Sequence, residues 1–150
     1  MSIAIRPGTS ADVARIAGFN AAMAAESEDK GLDLAVLTQG VRYLMDNPRE
    51  GYYLMAEVEG EAAGTLMVTF EWSDWRNGRF WWIQSVYVAP HFRRLGVYRA
   101  MHQAVSDAAH QDPQACGIRL YVERENTGAQ ATYKTIGMVE THYRLYEQTF

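Results

Sequence analysis

The sequence predicts a single α/β (α+β) domain over residues 1–150, with a mixed, mostly antiparallel central sheet flanked by helices. Three observations predict it. Alternating apolar runs and helical repeats follow one another in the order β-α-α-β-β-β-α-β-α-β. Glu59-Gly60-Glu61 joins two of the runs as a hairpin. One later strand leads through a helix into another strand, the pattern of a βαβ crossover.

Each element has a local reason. Residues 2–6 alternate and end at Pro7-Gly8. Thr9 or Ser10 caps a helix running to about Glu26, with Val13, Ile16, Ala17, Asn20, Met23 and Ala24 at helical spacing. Lys30-Gly31 breaks the chain, and a second helix, Leu34–Asp46, stops before Pro48. The strand Gly51–Val58 sets Tyr53, Met55 and Glu57 on one face and Tyr52, Leu54, Ala56 and Val58 on the other. Residues 62–72 form its hairpin partner, and a polar tip at 73–78 leads into a long strand at 79–88. A helix over 95–110 carries the stripe Val97, Met101, Ala104, Val105 and Ala108 and ends at Asp112-Pro113. Residues 117–123 read as a buried strand, 127–136 as a short helix closed by Gly137, and 140–150 as a last alternating strand.

Composition narrows the functional classes. A hydrophobic share of 48% supports one sizeable core. The net charge of −4 offers no basic field to nucleic acid. No apolar run reaches membrane-spanning length, and the first residues lack the basic and apolar regions of a secretory signal. The single cysteine, Cys116, excludes an internal disulfide and a cysteine-based zinc site. The histidines at 91, 102, 110 and 142 show no metal-ligand spacing, so no metal is expected. These readings point to a cytoplasmic protein.

Residues 81–101, WWIQSVYVAPHFRRLGVYRAM, carry the chemistry. A buried strand breaks sharply and opens an amphipathic helix. The start of a helix exposes unpaired N–H groups and a partial positive charge, and together these attract phosphate. Arg93 and Arg94 add full charges, and Gly96 lets a ligand approach the backbone. The local physics therefore predicts a phosphate-bearing cofactor where strand meets helix.

Val86-Tyr87-Val88-Ala89-Pro90 followed by Arg93-x-x-Gly96-x-Tyr98 resembles the acyl-CoA-binding signature of the GNAT N-acetyltransferase superfamily. That signature is Arg/Gln-x-x-Gly-x-Gly/Ala after a hydrophobic-x-Val-x-Pro strand end; Tyr98 stands where the last small residue usually sits. Asn126, Tyr133 and Gly137-Met138 resemble the family's second constellation, and Asn126 and Tyr133, seven residues apart, share a helix face. The order of elements matches the family's fold over essentially the whole chain.

The resemblance implies acetyl-CoA as cofactor, held by Val86, Tyr87, Val88, Arg93, Arg94, Leu95, Gly96, Val97, Tyr98, Arg99, Asn126 and Tyr133. It implies a V-shaped cleft where the strand bends from its neighbour, with Val86 and Val88 pairing with the pantetheine arm. It makes Tyr133 the acid that protonates the leaving thiolate, and the Val86 N–H a modest oxyanion donor. Many members place a Glu as general base where Gln84 stands here, and glutamine accepts no proton. Glu26, Glu71 and Asp74 are other carboxylates that could act through water, though such groups are more often solvated surface. Glu26, Glu71, Trp72, Asp74, Gln84 and Ser85 are the acceptor-side candidates, with charge pairing and cation–π contact for an amine. The implied activity is direct acetyl transfer to a primary amine of a small molecule or peptide, in a homodimer. The alternative is a non-catalytic acyl-CoA-binding sensor or interaction module.

Overall fold

The computed structural model of the protein describes residues 1–28 and 31–150; Lys30, part of the expected break, lies outside the described residues. The chain forms two compact units, Met1–Leu120 and Tyr121–Phe150.

The first unit holds a five-stranded sheet in the order β1-β2-β3-β4-β5. Its strands are β1 (Ile3–Pro7), β2 (Gly51–Val58), β3 (Glu61–Ser73), β4 (Gly78–Val88) and β5 (Ala115–Arg119). The first three pairings are antiparallel and β4 runs parallel to β5. The α/β class and the mixed, mostly antiparallel sheet are therefore as expected. The helices of this unit are α1 (Val13–Glu28), α2 (Leu34–Asp46) and α3 (Val97–Gln111).

Alternation along the strands divides the core in two. Leu54, Ala56, Val58, Leu66, Val68, Trp81 and Ile83 pack with Val97, Met101 and Val105 of α3. On the other face Tyr53 and Met55 pack with Val13, Ile16 and Ala17 of α1 and Val41 and Leu44 of α2. Both expected faces of β2 thus find the core assigned to them. Each fully buried Leu, Ile or Met contributes about 1.5–3 kcal/mol.

The helix expected directly after Thr9 or Ser10 starts later: Ser10–Asp12 form a 3-10 turn with Thr9 as its N-cap, α1 follows from Val13, and Asp12 ties the turn down. Its carboxylate accepts from the Thr9 N–H at 2.7 Å and from two Arg6 nitrogens at 2.8 and 2.9 Å. Asp12 is buried, and the Arg6 hydrogen bond is the chief cause that lowers its pKa to about 2.

A bulge interrupts β4. Thr65 pairs with Tyr87 but Met67 pairs with Gln84, so Ser85 and Val86 together oppose Leu66. Ser85 takes φ 54°, in the left-handed region, which is uncommon for a side-chain-bearing residue. Just beyond the bulge, where Gly64 pairs with Val88, the strands close tightly: a Cβ on Gly64 would meet the Tyr87 carbonyl oxygen at 2.6 Å.

Three further expectations are corrected by the structure. The helix expected from residue 95 starts at Val97, because Gly96 is its N-cap at φ 85° and cannot itself be helical. The strand expected at 117–123 is β5, which ends at Arg119, where its pairing with β4 ends.

The third difference lies in the second unit, whose one helix is α4 (Thr127–Thr135). Asn126 caps it, with Oδ1 accepting from the Ala129 N–H at 3.1 Å. At its end Gly137 has φ 93°, its N–H donates to the Lys134 carbonyl, and the Met138 N–H donates to the Tyr133 carbonyl at 3.0 Å. This is a Schellman closure with glycine at C′. The expected strand over 140–150 is not formed: this unit contains no other strand to supply a ladder, and 140–150 carries no regular secondary structure.

Candidate active site

The β4–β5 register runs from Arg79↔Ala115 to Trp82↔Arg119 and stops, while β3 accompanies β4 to Val88. Past Trp82, the edge of β4 that faced β5 carries no ladder partner among the described residues. The resemblance implies an opening for a ligand at this edge of β4.

Backbone alternation assigns the groups that line it. The Ala89 N–H donates to the Ala63 carbonyl of β3 at 2.8 Å. The polar groups of Val88 and Val86 therefore face the other way, into the opening. Arg93 confirms the direction, since its Nε donates to the Val88 carbonyl at 2.8 Å. The Val88 carbonyl, expected to pair with a ligand, is thus taken by this chain's own arginine, while the bulge turns Val86 at the same edge.

The chain then passes Pro90 and Phe92 and enters α3. Gly96 has φ 85°, and a Cβ there would meet nothing within 4 Å. No side chain caps α3. The first-turn N–H groups of an α-helix point out of its N-terminal end. Arg94 and Leu95 are exposed in this loop, with Arg94 at φ 63°. No ion pair of Arg94 exists among the described residues. An open glycine, an uncapped helix start and a nearby guanidinium are the chemistry of a phosphate cradle, so these residues fit the phosphates of a CoA thioester. Tyr98, in place of the small residue, sends its hydroxyl along the helix to His102 Nδ1 at 3.2 Å. Burial pushes the His102 pKa down, favouring the neutral imidazole beside this hydroxyl.

The acceptor-side candidates separate. Glu71, Gln84 and Tyr87 lie on the α1/α2 face of the sheet, whereas Trp72, paired with Arg79, lies on the α3 face. Trp72 therefore does not share a face with Glu71. Asp74 is exposed on the β3–β4 turn. The Glu71 carboxylate accepts from Trp82 Nε1 at 3.0 Å and Arg119 at 2.9 Å, which gives it a structural task. Gln84 donates to Thr69 Oγ1 at 2.7 Å. Tyr87 is buried against Phe19, ring centroids 5.4 Å apart, and its hydroxyl donates to Glu26 Oε1 at 3.3 Å. Burial first, and then Glu26, raise the Tyr87 pKa. Glu26 also binds Arg93 at 2.9 Å. The Arg93–Glu26–Tyr87 cluster joins residues up to 67 positions apart and had no local signal in the sequence.

In the second unit Asn126 and Tyr133 stand on α4. Tyr133 is half-buried, and burial raises its pKa above the usual phenol value. It therefore stays protonated at neutral pH.

A family model described as the acetyltransferase (GNAT) family matches residues 20–138. The chain belongs to the GNAT acetyltransferase family. Among solved structures, this GNAT chain is similar to a possible acetyltransferase from Clostridium difficile 630, with 42% identity, 100% of this chain and 99% of that one covered, and a TM-score of 0.91. It shares its fold with a predicted acetyltransferase with acetyl-CoA from Clostridium acetobutylicum (18% identity, 98% and 96% covered, TM-score 0.81). The same holds for glucosamine-6-phosphate N-acetyltransferase from Arabidopsis thaliana (18% identity, 99% of both chains covered, TM-score 0.75). No curated protein matches the chain. Among the described residues no helix is long and apolar enough to cross a membrane.

Proposed function

We propose that this GNAT protein, as one domain over 1–150, transfers acetyl from acetyl-CoA directly to a primary amine of a small molecule or peptide. The observation that carries the reading is the continuity of the open β4 edge at Val86 and Val88 with the uncapped start of α3 at Gly96. A thioester with an extended arm and a phosphate tail has the shape and charge for such a path. Membership of an acetyltransferase family supports the same chemistry.

Bound acetyl-CoA supplies the activated acetyl group. Arg94, Gly96 and the N–H groups at the start of α3 hold its phosphates. The Val86 N–H polarises the thioester carbonyl. Tyr133 donates its phenolic proton to the departing thiolate, and its raised pKa keeps that proton available. The attacking nitrogen arrives neutral, because Gln84 supplies no base, and its surplus proton leaves to water. Asn126 caps α4 and so fixes the helix that bears Tyr133. A homodimer in the cytoplasm is part of the proposal, following the family resemblance.

The test is thiol release from acetyl-CoA with a panel of primary amines. Tyr133→Phe is expected to lower kcat by roughly 10²-fold or more, with the donor KM little changed. For the wild type, no alkaline fall in kcat from this acid is expected below pH 10, the ordinary phenol value. An unchanged kcat/KM in Tyr133→Phe refutes the acid. Gln84, bonded to Thr69 in place of an acid, favours one second reading, a domain that binds acyl-CoA without turnover. Binding of acetyl-CoA with no amine acetylated would select it.

A further inference from the structure

The notable group on the acceptor face is Glu26. Of the three candidate carboxylates it alone meets the bulged end of β4, through Tyr87. Glu71 is engaged by Trp82 and Arg119 and stands opposite Phe80, at the far end of the strand. Asp74 lies beyond it on the turn. Glu26 Oε1 accepts from the Tyr87 hydroxyl at 3.3 Å, and Oε2 receives Arg93 at 2.9 Å. Arg93 in turn lies over the Tyr87 ring, 5.4 Å from its centroid, and holds the Val88 carbonyl. The Arg93 and Glu26 side chains are 44% and 42% exposed. A pair that wet shifts an equilibrium by no more than about fivefold, so it exchanges partners readily.

We propose that Glu26 anchors a second cationic group on the acceptor, making a diamine or similar dication the favoured substrate class, and that Arg93 links this anchor to donor binding. The proposal rests on the function given above. A nitrogen paired with a carboxylate keeps its proton, because an opposite charge favours the charged form. The reacting nitrogen must lose its proton. The group beside Glu26 is therefore not the reacting amine but another cation on the same molecule. Arg93 lies in the segment leading to the phosphate cradle, and a donor's phosphates carry more charge than one wet carboxylate. As they draw the guanidinium over, Glu26 keeps only the Tyr87 hydroxyl, which holds its orientation but not its charge. An ammonium then completes the site. By linkage, each ligand raises the affinity for the other by the same factor.

The experiment compares 1,4-diaminobutane with 1-aminobutane as acceptors, using acetyl-CoA and the wild type, Glu26→Gln and Glu26→Asp. The wild type is expected to favour the diamine in kcat/KM by about tenfold, the worth of one hydrogen bond to a charged group. Glu26→Gln is expected to lose that preference, with kcat/KM falling about tenfold for the diamine through KM and far less for the monoamine, while Glu26→Asp, which keeps the charge, retains part of it. Without amine, Glu26→Gln is expected to bind acetyl-CoA up to about fivefold more tightly, because Arg93 is released. A merely structural Glu26 would lower both acceptors together. Equal use of the two amines by the wild type, or an equal loss of both in Glu26→Gln, overturns the proposal. So does a wild type that binds acetyl-CoA and acetylates neither amine, an outcome that leaves the donor site standing. Failure of the wild type to bind acetyl-CoA removes the proposed function and this inference together.

Discussion

Asp12 shows how one residue couples local structure to pH. It receives Thr9 and Arg6 at the start of α1, and its pKa falls from 3.8 to about 2. A depressed carboxylate pKa stabilises the fold above its unfolded value and loses that contribution as pH falls through the folded value. The contribution is thus complete above about pH 4 and gone near pH 2. Asp12→Ala is expected to cost about 1–2 kcal/mol at pH 7 in urea denaturation. The gap to wild type should narrow steadily below pH 4; a gap that stays constant to pH 2 would contradict the assignment. At this scale the sequence was legible where partners are neighbours, as for the close of α4 at Gly137. It was silent where partners are distant, as for Glu71 with Arg119, 48 positions apart.

Among the elements, β4 matters most, because its bulge turns the strand end toward the opening. The bulge had a signature in the sequence. Trp81 and Ile83 face α3 at a spacing of two, and so do Val86 and Val88, but the step from Ile83 to Val86 is three. That broken alternation is what an inserted residue produces. Ser85 at φ 54° carries the strain. Ser85→Val is expected to lose about 1–2 kcal/mol, since a β-branched residue tolerates the left-handed region poorly. It should also lose acetyl transfer, while Ser85→Gly keeps both stability and transfer. Equal stability of Ser85→Val and wild type by urea denaturation would show that the bulge is not strained. Helix α2 and strand β2 fell where the periodicity and Pro48 put them, because their limits are set by local chemistry. The limit of β5 was illegible, because it is set where two strands part. The strand over 140–150 had the right alternation, but alternation does not supply a partner strand.

At the scale of the molecule, the order of elements and the Arg93–Tyr98 segment were enough to reach the family. The acceptor was not legible, because its face is assembled from α1, β3 and β4, which are far apart in the chain. The central claim is that the open edge of β4 and the start of α3 hold an acetyl donor by its arm and its phosphates. Calorimetric titration of acetyl-CoA into the wild type and Arg94→Glu tests it most directly. Arg94 is exposed and makes no ion pair among the described residues, so reversing its charge changes the cradle and leaves the core untouched. Saturable binding to the wild type is expected, weakened about tenfold or more in Arg94→Glu at an unchanged melting temperature. No binding by the wild type, or equal affinity in the two proteins, would contradict it.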